Sequence, residues 1–139
     1  MRKKWGAVVF VIFVVFAVGV GITQSFFSAN STIDQAQPTL QLLDTAKLTN
    51  MIKNNEDMVI VDLREPELFA TGRVPTAINI PFAEINKRYT GLPKEKKIVF
   101  ICHTGRMGTE SGQLLLDNGY KEVFNLEGGM AKWTGKLEK

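Results

Sequence analysis

Beyond residue 39 the chain alternates short apolar runs with stretches whose apolar residues recur at helical spacing. LQLLD (40–44) reads as a short strand. Thr45 is placed to cap the helix that follows, in which Leu48, Met51 and Ile52 share one face. MVIVDL (58–63) is an apolar run of the kind found in strands covered on both faces. EPELFATG puts Pro66 at a favoured first helical position and Gly72 at the stop. AINIP (77–81) is a strand closed by Pro81, FAEINKRY (82–89) a brief helix, and GLP (91–93) a turn. KIVFI (97–101) is a strand, Met107 to Asn118 a helix stopped by Gly119, and EVFNL (122–126) a strand. EGGMAKW (127–133) opens as a tight Gly-Gly turn and leads into a helix. Strands alternating with helices imply an α/β fold, a largely parallel sheet with helices on both faces. Ligands of such sheets bind beyond the carboxyl ends of the strands.

The first 27 residues have a different pattern. Gly6 to Ile22 runs 17 residues without a charge or strongly polar group. As a helix this is roughly 25 Å, and extension to Phe27 brings it to the ~30 Å of a hydrocarbon core. Trp5 and the pair Phe26/Phe27 then fall near the two interfaces. A cleaved signal peptide is the alternative, which would release a secreted domain. Its apolar region is usually shorter, and bulky Phe26 and Phe27 make a poor cleavage site, leaving Thr23-Gln24-Ser25 as a weaker one. No cysteine follows the run, which excludes a lipoprotein anchor. The expectation is one N-terminal transmembrane signal-anchor (1–27), a small polar linker (28–38) and a domain (39–139). Basic residues stay on the cytoplasmic side, so the domain faces the extracytoplasmic side.

Charge sharpens this division. The net charge of +3 is accounted for by Arg2, Lys3 and Lys4; the remaining 14 basic and 14 acidic residues cancel. No cluster of Lys and Arg suggests a nucleic-acid footprint. One cysteine and one histidine exclude an internal disulfide and argue against a zinc or iron–sulfur site. No metal and no organic cofactor is implied.

The lone cysteine sits at a chosen place. In KIVFICHTGRMG, Cys102 lies between a buried strand and the start of a helix. Gly105 and Gly108 permit backbone angles that other residues resist. A loop wrapped around Cys102 points N–H groups inward, and the helix N-terminus adds its positive end, making an anion nest. Thiols at helix N-termini and near arginines are favoured as thiolates, and Arg106 supplies such a charge. Cys102 is thus a candidate nucleophile. His103 is adjacent to it in sequence, and neighbouring side chains on a tight loop splay apart, so His103 reads as a rim residue. Met107 reads the same way.

These residues resemble the rhodanese-like sulfurtransferases. IVFICHTGRMG is similar to that family's active-site loop, a Cys-x-x-Gly-Arg pattern between strand and helix. VIVDLREPELFATGRVPTAINIPFAEI resembles its Asp-x-Arg segment and the Gly-His-Ile-x-Gly-Ala-x-Asn-Ile-Pro segment that follows. GYKEVFNLEGGMAKW resembles its closing strand, Gly-Gly and Trp. The order is kept across residues 39 to 134. The resemblance implies a single rhodanese domain in which Cys102 takes a sulfane sulfur from thiosulfate or a persulfide and passes it to cyanide or a thiol. His103, Thr104, Gly105, Arg106, Met107 and Gly108 would form the substrate-binding loop, and Asp62 and Arg64 would support it or form an ion pair at a strand end. Three positions depart from the family pattern. Gly108 stands where Ser or Ala is frequent, Arg73 where His is usual, and Thr76 where the second Gly of its segment falls. The chief alternative is a non-catalytic rhodanese-like module that binds a protein or senses redox state at the membrane surface. Cysteine phosphatases need Cys-x5-Arg, and Gly108 occupies the position of that arginine.

Overall fold

The computed structural model describes residues 36–139. The segment read as an anchor, 1–27, and most of the linker lie outside the described residues. Among the described residues, 36–139, no helix is long and apolar enough to cross a membrane.

The chain forms β1 (Gln41–Leu43), α1 (Thr45–Lys53), β2 (Met58–Asp62), α2 (Pro66–Thr71), β3 (Ile78–Asn79) and α3 (Phe82–Arg88). A 3-10 turn (Tyr89–Gly91), β4 (Lys97–Ile101), α4 (Arg106–Asp117), β5 (Val123–Leu126) and α5 (Gly129–Lys132) complete it. The five strands make one sheet in the order β1-β5-β4-β2-β3. Every pairing is parallel, as the strand–helix alternation implies. The longest register runs from Met58 opposite Lys97 to Asp62 opposite Ile101.

Two helix starts differ from the sequence reading, both for capping reasons. Asp44, not Thr45, caps α1: its carboxylate accepts the Lys47 N–H at 2.7 Å, while Thr45 is the first helical residue. Helix α4 starts at Arg106 rather than Met107, because Gly105 is its N-cap in the left-handed region, at φ 106°.

Alternate residues of the strands feed two cores, one on each face. Val61, Ile98, Phe100 and Val123 pack with Ile85 of α3, Leu92 and Leu115 of α4. Ile60, Val99, Ile101, Phe124 and Leu126 pack with Leu48 and Met51 of α1 and with Val74. Each such side chain, fully buried, contributes about 1.5–3 kcal/mol. Tyr120 closes the first core: its hydroxyl bonds the carbonyls of Tyr89 and Leu92 at 2.7 and 2.8 Å, which fixes the 3-10 turn against α4. Cys102 follows Ile101 out of the sheet on the α4 side and belongs to that same core.

Candidate active site

The sheet directs three chain segments to the carboxyl end of β4. The loop 102–105 leaves β4, the segment 62–65 leaves β2, and the Gly128–Gly129 turn leaves β5. Leu63 N–H donates to the Ile101 carbonyl at 2.8 Å, which holds the second segment beside the first. Met130 and Ala131 N–H donate to the carbonyls of Cys102 and His103 at 2.8 and 3.0 Å, which holds the third.

Those last two bonds shape the loop. A trans peptide carries its N–H and C=O on opposite edges. With the carbonyls of Cys102 and His103 turned to α5, the N–H groups of His103 and Thr104 turn away from it. Gly129 makes the close approach possible. It sits at φ 58°, and a Cβ there would collide with the Cys102 carbonyl oxygen and stand 2.8 Å from the His103 carbonyl group. The Gly-Gly of the sequence is therefore the lock on the back of the loop.

Cys102 is 1% exposed, and its Sγ accepts the Gly105 N–H at 3.0 Å. The N–H groups of Arg106, Met107 and Gly108 open α4 and bond none of the described residues. The thiol thus lies at the mouth of a helix whose first donors are unspent, with one loop donor already on the sulfur. Such an arrangement offers hydrogen-bond donors to an anionic group placed beside the sulfur.

The remaining predicted residues are placed as follows. His103 is at the rim, 43% exposed in its side chain, with Nε2 2.9 Å from the Glu65 carboxylate. The Glu65 carboxyl is held below its ordinary range, first by its own backbone N–H and then by His103. The guanidinium of Arg106 turns away from the thiol: it is 88% exposed and bonds Glu110 one helical turn on, at 3.1 Å. Asp62 and Arg64 are buried together at the end of β2. Arg64 donates to both carboxylate oxygens of Asp62, the shortest bond being 2.7 Å, and to the Gly72 carbonyl at 2.8 Å. Asn79 bonds the carbonyls of both residues. This ion pair ties β2, α2 and β3 into one unit and reaches the loop through Leu63 and Glu65.

Two contributors were not singled out from the sequence. Glu65 stands just before Pro66 at the start of α2, and nothing local relates it to His103. Asn125 was hidden in an apolar strand, VFNL, although a polar residue in a strand covered on both faces is itself a signal. Its amide donates to the Gly105 carbonyl at 2.8 Å and to Thr109 Oγ1 at 3.2 Å. A cleft of about 660 Å³ between α1 and α5, lined by Asp44, Asn50, Lys53, Glu127 and Lys132, includes no residue of the loop.

A parallel sheet with a cysteine cradled between β4 and α4 defines a class of small α/β domains built around one thiol. The chain belongs to the rhodanese-like domain family, whose pattern matches residues 44–136. It is 36% identical to YtwF of Bacillus subtilis over 96 residues, 69% of this chain and 92% of that one. It is 32% identical to a sulfurtransferase of Allochromatium vinosum over 92 residues, 66% of this chain and 86% of the other. A rhodanese-like domain protein of Staphylococcus aureus superposes with a TM-score of 0.64 at 29% identity, covering 70% of this chain and 96% of that one. The chain spans about half (47%) of the length of another relative, YrkF of Bacillus subtilis.

Proposed function

We propose that this protein is a sulfurtransferase in which Cys102 carries the sulfur. The Cys102 thiolate attacks the outer sulfur of a small donor, thiosulfate or a persulfide. The donor's S–S bond breaks, and its electron pair leaves with sulfite or with the donor thiol. Cys102 then holds the transferred atom as a persulfide. A thiol or cyanide attacks that terminal sulfur, and the thiolate is regenerated. This is covalent catalysis in two half-reactions. The observation that carries the reading is the setting of Cys102 Sγ, bonded by the Gly105 N–H at 3.0 Å beside the unspent donors of α4. The loop His103–Gly108 would cradle the added sulfur. Arg106, freed from Glu110, would attract an anionic donor, and Asp62 with Arg64 would brace the adjoining segment. The likeness to a sulfurtransferase over most of both chains supports the same reading. We further propose that residues 1–27 anchor the protein in a membrane as a single-pass segment, with the domain on the extracytoplasmic side; the apolar run Gly6–Ile22 behind Arg2, Lys3 and Lys4 supports this.

The test is sulfur transfer from thiosulfate to cyanide by the purified full chain, read as thiocyanate, with intact mass to detect one added sulfur on Cys102. Cys102→Ser should abolish both signals. Retention of transfer in that variant would overturn the assignment. Arg106→Ala should raise the apparent KM for thiosulfate and leave an uncharged persulfide donor nearly unaffected. Protease accessibility of the domain in right-side-out and inside-out membrane vesicles checks the topology.

A further inference from the structure

The face of α4 turned to the sheet carries Gly108, Ser111, Gly112 and Leu115, all buried. Opposite Gly108 stands Asn125, 2% exposed. A Cβ at position 108 would run into the Asn125 amide, its oxygen first and its Cγ at 2.7 Å. The absence of a side chain at 108 is thus what admits the Asn125 amide to the space behind the loop. There the amide nitrogen meets the Gly105 carbonyl and Thr109 Oγ1. The Gly105 carbonyl also receives the Thr109 N–H at 3.1 Å and the Thr109 hydroxyl at 3.2 Å.

We infer that Asn125 is a positioning residue for the Cys102 loop and that it works as a matched pair with Gly108. The Gly105 carbonyl belongs to the peptide that carries the Arg106 N–H on its other edge. Fixing that carbonyl from behind fixes the direction of the first donor of α4. It also holds Gly105 at φ 106°, the angle at which its own N–H meets Cys102 Sγ. The amide is retained at a cost, since its oxygen is buried and has no partner among the described residues. A residue serving only to fill the core would be better apolar at this position. The inference that this geometry serves transfer rests on the sulfurtransferase reading; the geometry itself can be tested without it.

The experiment uses Asn125→Ala, Gly108→Ala and the double variant in the full chain. Sulfur transfer is measured alongside 15N relaxation of the amides of residues 103–108. Asn125→Ala should lower kcat/KM about tenfold, as expected when a reacting group loses its alignment. The loop amides should become mobile, with order parameters dropping towards ~0.6, while the strands stay rigid. Gly108→Ala should expel the amide and give the same two changes. The double variant should be no worse than Asn125→Ala alone, because the second change removes nothing that remains. Loop amides as rigid as wild type in both single variants would overturn the proposal. So would losses that multiply in the double variant. If Asn125→Ala fails to fold, Gly108→Ala decides by the relaxation measurement alone. If the wild type transfers no sulfur from any donor, the functional reading fails while the relaxation measurement still decides the positioning role.

Discussion

Replacing Gly129 with alanine perturbs the back of the loop at one atom. The new Cβ falls on the Cys102 carbonyl oxygen and within 2.8 Å of the carbonyl carbon and oxygen of His103. Both obstacles are backbone, so no side-chain rotation relieves the clash. The turn must withdraw, which breaks the bonds from Met130 and Ala131 to those carbonyls. Two such bonds are worth about 1 kcal/mol each. Holding alanine at the left-handed angle, φ 58°, costs roughly 1 kcal/mol more. The stiffer unfolded chain returns about 0.5 kcal/mol. The net loss is about 2.5 kcal/mol, or roughly 12 °C in melting temperature for a domain of about a hundred residues. Thermal unfolding followed by circular dichroism measures this, and thiocyanate formation measures the loop. Transfer should fall more than stability alone explains, because the freed carbonyls let the N–H groups of His103 and Thr104 turn away. Gly91→Ala is the control: a Cβ there meets nothing within 4 Å. A Gly129→Ala protein melting within about 3 °C of wild type, with full transfer, would refute the account of the lock.

Three further outcomes follow from other parts of the domain. Thr76 holds φ 68° on a β-branched side chain where the family pattern has glycine; Thr76→Gly should stabilise the domain by about 0.5–1 kcal/mol, seen as a higher urea midpoint. Arg64→Ala leaves the Asp62 carboxylate buried and unpaired; the cost should be about 3–5 kcal/mol, and a smaller loss in chemical denaturation would mean the pair is not needed to brace β2. The Glu65 carboxyl is depressed in the folded state, so its contribution is present above about 4.5 and is lost as pH falls through its lower folded value. Glu65→Gln should therefore flatten the acid side of the stability profile in urea melts, and an unchanged profile would show that the contact with His103 has no energetic weight.

The sequence by itself determined the alternation of strands and helices, the parallel sheet, and the position of Cys102 at a strand end before a helix. The physical reason is that these features are local. Apolar period, Pro66 and Gly119 as helix punctuation, and glycines beside the thiol act within a few residues. Even the local readings slipped where two capping residues competed, as Asp44 and Thr45 did at α1. Tertiary structure alone decided the order β1-β5-β4-β2-β3, because the three central strands are covered on both faces and their sequences do not record their neighbours. That order sets the Gly-Gly turn behind Cys102 and brings Glu65 to His103. It also turns Asn125 into the gap left by Gly108. Each of these contacts joins residues at least 17 positions apart, and each depends on distances that no local pattern encodes. Arg106 makes the same point in reverse. Its place in the loop was plain from the sequence, while its charge was directed by Glu110 along the helix and away from the sulfur.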